Sequence, residues 1–326
     1  MDLTNYTVSN EPTRLSGQLY PRGKQTGLTP GAGFLVGLIF LAAGTMIALV
    51  GLKVIHVDPK TVHVPYSVLT CIGAVFYAAG VWLWFMGYSQ YKENCRRAAV
   101  QTQGSTAVAM ADYPWAKTGT KDRRWDKAST QLVAVVFFTL FLSVFNWVAF
   151  FASRTPIFAK LIVAVFDVVL VYVWIQCFLA WGRAMKFGAS RVEFASFPFH
   201  MGEPVVLRWI TPTGINRADS GVFQLRCVQQ WYEARGSRNN RLSQLIQEVV
   251  WSGTYALSKP EQFPPGKSVE LRFGTPENMP ATNFSKGPKV VFWELQINLK
   301  EPGLDFTESY LVPVYSRNLE VQTKAA

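Results

Sequence analysis

Asp167 asks more of its surroundings than any other residue in this chain. It falls about ten residues into the apolar run IFAKLIVAVFDVVLVYVWIQCFLAW, Ile157 to Trp181, which at 1.5 Å per residue is about 15 Å along a helix. In a helix crossing a bilayer, that depth is near the midplane of a hydrocarbon core about 30 Å thick. An ionised carboxylate there costs at least a few kcal/mol, so the acid must face the bundle interior and be protonated or hydrogen-bonded. The same depth count brings Tyr77 to its level from one apolar run and Thr139 and Ser143 from another, with Asn146 completing an i, i+4, i+7 polar stripe. The expectation is a Tyr77–Asp167–Ser143/Thr139 cluster. It can serve as a hydrogen bond that fixes helix register or as a proton or ion relay; one acid without a paired base favours the first.

The second group of candidates is basic and aromatic. Trp115, Lys117, Lys121, Arg123, Arg124 and Trp125 fall within one short polar segment, where the cations suit lipid phosphates and the indoles suit the interface. Arg235, Arg238 and Arg241 line a second basic stretch, ARGSRNNR, between two expected strands. Both are read as contacts to anionic lipid or to a partner. The net charge of +11 agrees with an anionic neighbour. No nucleic-acid recognition module accompanies it, so nucleic acid is not expected.

Catalytic patterns are missing from the sequence: there is no GxSxG, P-loop or HExxH and no nucleophile beside a histidine base. His56 and His63 have only Asp58 near them, which falls short of a metal set. The four cysteines, Cys71, Cys95, Cys177 and Cys227, form no CxxC pair, so zinc and a disulfide framework are not indicated. No metal, no cofactor and no enzyme activity are expected.

Four apolar runs must position these residues: Ala32–Leu52, Tyr66–Tyr88, Gln131–Phe151 and the run holding Asp167. Each is long enough to span a bilayer. In the first, Gly33 and Gly37 form a GxxxG pair that lets a neighbouring span approach closely. Basic residues set the orientation. The N-terminal stretch has Arg14, Arg22 and Lys24, the middle segment is the richest, and Arg183, Lys186 and Arg191 follow the last span. The opposite loops offer only Lys53 and Lys60, then Arg154 and Lys160. By the positive-inside rule both termini are cytoplasmic.

After Gly188 the period changes. RVEFASF, VVLRWI, GVFQLRCVQQWYEA, LIQEVVWSGTYAL, SVELRF, KVVFWELQINL and FTESYLVPVY are rich in β-branched and aromatic residues and are separated by turn formers. Seven strands without a helical period predict an antiparallel immunoglobulin- or arrestin-like β-sandwich. In KVVFWELQINL, Val291, Trp293, Leu295 and Ile297 share one face, with Val290, Phe292, Glu294 and Gln296 on the other. The expected organisation is a polar tail at 1–30, a first transmembrane hairpin at 31–88 and a basic cytoplasmic loop at 89–128. A second hairpin at 129–186, the sandwich at 187–316 and a loose tail at 317–326 complete it. The fold class is a four-helix transmembrane bundle followed by a β-sandwich.

The order of two spans, the loop DYPWAKTGTKDRRWDKA, two more spans, the junction KFGASRVEF and the closing stretch WELQINLKEPGLDFTESYLVPV resembles an uncharacterised family of bacterial multi-pass inner-membrane proteins, a domain of unknown function. The resemblance rests on Pro114, Trp115, Arg123, Arg124 and Trp125 in the loop. At the end it rests on Trp293, Glu294, Pro302, Gly303, Asp305, Val312, Pro313 and Val314. It implies a layout and no activity. The expected function is a non-enzymatic membrane-anchored adaptor whose cytoplasmic sandwich binds a protein partner or the lipid surface. The alternative is an accessory subunit of a membrane complex, or a small transporter using Asp167.

Overall fold

A computed structural model describes residues 5–15, 30–57, 65–100, 109–110, 112–151, 156–235, 242–284 and 289–316. His63, Asp58, Arg238, Arg241 and the 317–326 tail lie outside the described residues. The chain divides into two compact units.

The helical unit is Gly27–Cys95 with Asp126–Gly182. Its helices are α1 (Pro30–Gly51), α2 (Tyr66–Val100), α3 (Arg124–Phe151) and α4 (Ile157–Phe187), the ends of the last three reaching into the other unit. Each contains a stretch of 19–31 residues long and apolar enough to cross a membrane. Most of their large side chains point away from the bundle, among them Leu38, Phe85, Phe158 and Val168.

α1 and α2 approach closely because glycines recur every seven residues on both: Gly37, Gly44 and Gly51 on one, Gly73, Gly80 and Gly87 on the other. A β-carbon on Gly44 would lie 2.6 Å from Tyr77 N, and one on Gly73 would lie 2.5 Å from Ala48 N. A β-carbon on Gly33 would lie 3.4 Å from Gly87 Cα, and one on Gly37 would lie 3.1 Å from Gly80 O. A seven-residue period keeps the same faces together along a helix pair.

The β unit is assembled from three separate segments: Met1–Thr26, Arg96–Trp125 and Arg183–Ala326. Its strands are β1 (Asn5–Ser9), β2 (Thr13–Arg14), β3 (Gly119–Lys121), β4 (Arg191–Phe194), β5 (Phe199–His200), β6 (Pro204–Ile210), β7 (Ile215–Ala218), β8 (Ser220–Arg235), β9 (Leu242–Ala256), β10 (Glu261–Phe263), β11 (Ser268–Gly274), β12 (Val290–Lys300), β13 (Phe306–Val312) and β14 (Val314–Tyr315). One antiparallel sheet runs β1-β9-β8-β12-β13, with β2 also on β9; the other runs β11-β6-β4-β3. Two small ladders, β10-β7 and the parallel β14-β5, complete the pairing.

The inner faces of the two sheets meet in one core. In the smaller sheet Val205, Leu207 and Trp209 stand opposite Phe273, Leu271 and Val269. In the larger, Ile297, Leu295 and Trp293 stand opposite Phe223, Leu225 and Cys227. Trp209 joins them, with its ring 5.8 Å from Phe223 and 5.4 Å from Phe306. The other face of β12 is partly covered as well: Val290 and Phe292 belong to a second cluster with Trp115, Phe284, Leu311 and Tyr315.

Two sequence expectations need correction. The N-terminal stretch contributes β1 and β2 to the larger sheet, so it is more than a polar tail. Described parts of the 89–128 loop are also regular, since α2 continues to Val100, 119–121 is a strand and α3 begins at Arg124. Isolated polar segments carry no apolar period, and their order comes from pairing with β9 and β4, far away in sequence.

Candidate functional site

The expected lipid-facing segment divides into a buried half and an exposed half. Trp115 is 4% exposed. Its indole N–H donates to the Tyr315 hydroxyl at 3.0 Å, and that hydroxyl donates to Asp112 Oδ2 at 3.2 Å. The two Asp112 oxygens accept the Phe284 backbone N–H at 2.9 and 3.1 Å. Burial and the neighbouring Asp112 carboxylate push the Tyr315 hydroxyl far above its ordinary range. Trp115 is therefore an anchor of the second core, which corrects its reading as a lipid contact: its amphipathic ring found a buried acceptor instead of the interface.

Arg124 is corrected in the same way. It is 7% exposed, its Nε donates to Glu308 Oε2 at 3.3 Å, and its guanidinium lies 4.5 Å from the Phe306 ring centre and 5.3 Å from that of Phe187. Asp122, with a fully buried side chain, accepts Ser190 N–H at 2.9 Å and Ser190 Oγ at 2.6 Å. Ser190 Oγ in turn lies 2.6 Å from the Tyr310 hydroxyl, which burial pushes far above its usual range. Guanidinium desolvation is tolerable here because two carboxylates and two ring faces surround it.

Together these bonds hold 112–124, the α4–β4 junction and the β13–β14 strands as one block. Lys186 adds to it, with Nζ 3.1 Å from Glu301 Oε2 and donating to the carbonyls of Pro302 and Leu304. The arrangement can position chain segments; most of its polar atoms bond one another, while Arg124 Nη1 and Nη2 are buried without a hydrogen-bond partner. Lys117, Lys121, Arg123 and Trp125 are the exposed members of the segment. Arg235 ends β8 on the strand leading to the second basic stretch.

In the helical unit, Asp167 is half-buried and its Oδ1 accepts Asn146 Nδ2–H at 2.7 Å. Thr139 accepts the Trp174 indole N–H at 3.0 Å, while Ser143 Oγ donates to Leu140 O of its own helix. The expected cluster is thereby redrawn. Asp167 pairs with Asn146, Thr139 belongs to a second bond one heptad away, and Tyr77 is half exposed on α2. Depth alone could not choose among the faces of three helices. Trp174 was missed, although its spacing of seven from Asp167 places it two turns along the same face.

Among the described residues no group of acids, histidines and cysteines could hold a metal ion. His56 is exposed, and His200 sits in β5 with its Nδ1 buried and without a hydrogen-bond partner. The four cysteines are free thiols, with Cys177 and Cys227 buried.

No family model matches the chain, and no curated protein does. Among solved structures it is similar to Spo0M, a sporulation control protein from Bacillus subtilis, at 13% identity and a TM-score of 0.30. The match covers 42% of this chain and 54% of that one, so the chain spans about half the length of that protein.

Proposed function

We propose that the chain is a non-enzymatic membrane-anchored adaptor, in which a four-span bundle holds an immunoglobulin- or arrestin-like β-sandwich on the cytoplasmic side of a bacterial inner membrane. The observation that carries this reading is the composition of the β unit. Its three segments, Met1–Thr26, Arg96–Trp125 and Arg183–Ala326, are the three that an even number of crossings leaves on one side. They are also the segments richest in lysine and arginine, as the positive-inside rule requires of the cytoplasmic face. Asp112, Asp122, Ser190, Glu308, Tyr310 and Tyr315 bond within the β unit, and the exposed surface is the part offered for recognition of a protein partner or of anionic head groups.

A second reading, an accessory subunit or small transporter, is favoured by the Asn146–Asp167 pair in apolar helices. The test uses the full chain. Loss of a co-purified partner in Lys117→Glu/Lys121→Glu, with retention in Asp167→Asn, supports the adaptor. The opposite pattern supports the subunit. A thiol probe reaching Lys117→Cys from outside intact cells overturns the proposed orientation.

A further inference from the structure

The sheet edges are closed in different ways. Along β13, Thr120 Oγ1 donates to Leu311 O at 3.2 Å, so the interhelix segment runs beside that edge. On β11, the carbonyls of Arg272 and Gly274 accept the hydroxyls of Tyr255 and Tyr6. The outer edge of β9 is closed by the N-terminal segment. There Asn5 to Ser9 pair with Ala256 to Ser252, and Thr13 and Arg14 pair with Val249 and Glu248. The Leu15 N–H reaches Gln247 O at 2.9 Å. The ladder is broken at Asn10–Pro12, opposite Val250 and Trp251, where β9 carries one extra residue relative to β8.

This segment is held mainly through its backbone. Every side chain from Tyr6 to Arg14 is exposed. Two anchors mark its ends: the Tyr6 ring lies 4.8 Å from that of Tyr255 and 6.4 Å from that of Phe273, and Leu15 packs on the second core cluster. Main-chain ladders are satisfied equally well by any copy of the same strand. Fourteen residues, 16–29, join Leu15 to Pro30, a length that can span up to about 50 Å.

We infer that the N-terminal segment is an exchangeable strand, and that two copies of this chain trade residues 5–15, each completing the larger sheet of the other at β9. A second copy is the occupant that fits, because the acceptor edge is already matched to this sequence at both ends. It offers Tyr255, Phe273 and a free carbonyl to an aromatic hydroxyl, and an apolar seat to a leucine nine residues on. Reciprocal exchange of an identical element is a low-cost route to a dimer. The inference concerns the β unit alone and does not depend on the adaptor reading or on orientation.

The test is a disulfide between differently tagged full-length copies in a Cys71→Ala/Cys95→Ala background. One copy carries Thr7→Cys and the other Thr254→Cys, residues that face each other across the ladder. Antiparallel partners stand about 4.5–5.5 Å apart at Cα, within disulfide reach. The expected result is a cross-tag disulfide several-fold above that obtained when exposed Lys117→Cys replaces Thr7→Cys, and reduced when Tyr6→Ala is added. A single copy carrying both cysteines reports pairing at home. If that copy locks internally while the cross-tag yield stays at the Lys117→Cys level, exchange does not occur. If neither bond forms, the pairing itself is overturned.

Discussion

Trp115 and Tyr315 are 200 residues apart in sequence and joined by a 3.0 Å hydrogen bond. That bond lies where the segment between the second and third helices meets the last strand of the β unit. The Tyr315 hydroxyl also serves Asp112, so one atom connects three points of the chain.

Tyr315→Phe keeps the ring and removes the shared hydroxyl, leaving the buried Trp115 N–H without its acceptor. The expected cost is about 1–3 kcal/mol, or about 2–4 °C of melting midpoint per kcal/mol for a unit of this size. Thermal unfolding followed by near-UV circular dichroism or tryptophan emission checks it. An unchanged midpoint would show that the indole finds another partner.

Arg124→Met removes the cation between Glu308 and Asp122 and leaves buried carboxylates behind, at an expected cost of about 3–5 kcal/mol. Replacing the pair together, Arg124→Met/Glu308→Leu, should recover much of that loss. A double-mutant cycle in denaturant gives the coupling. Two additive single losses would mean that the 3.3 Å contact carries no energy of its own.

Burial raises the Cys227 thiol of the β unit above its ordinary 9.0 and the Tyr310 and Tyr315 hydroxyls above 10.0, and the more exposed Tyr6 and Tyr255 hydroxyls rise as well. Each of the first three keeps its proton when folded and loses it when unfolded, so the unfolded chain binds fewer protons and stability falls as pH rises. The decline begins near pH 9 and steepens above pH 10, by about 1.4 kcal/mol per pH unit for each group. In alkaline unfolding curves, Tyr310→Phe should remove one group's share of that slope.

The Asn146–Asp167 pair should behave as a register lock. Asn146→Leu leaves the Asp167 carboxyl without its 2.7 Å donor and should lower the stability of the detergent-solubilised bundle by about 0.6–2 kcal/mol. Asn146→Leu/Asp167→Leu should restore it. Asp167→Asn, which keeps a hydrogen-bonding amide, should fold as the parent does; loss of a transport or growth phenotype in that variant alone would instead identify a relay.

Gly44→Leu inserts a side chain where a β-carbon already comes within 2.6 Å of the Tyr77 backbone. Overpacking of this kind costs about 1–3 kcal/mol. The expected outcome is a bundle that melts lower in detergent, while Gly31→Ala, whose β-carbon meets nothing within 4 Å, is neutral.

What the sequence alone determined was everything that a local period can encode. Apolar runs fixed four helices, and a two-residue alternation fixed the long strands and the inward set Val291, Trp293, Leu295 and Ile297 of β12, all of which lie in the main core. The heptad of Gly37, Gly44 and Gly51 is equally a pattern of the sequence itself. The tertiary structure alone decided the fate of residues whose neighbours are remote. Trp115 and Arg124 read as surface because their own segment is polar, and they are buried because β13 and β14 bring Tyr315 and Glu308 to them. Asp167 had several polar residues at its depth, and helix rotation selected Asn146. Periodicity specifies which face of an element is apolar; a hydrogen bond between distant segments depends on how those faces are joined, which no local pattern carries.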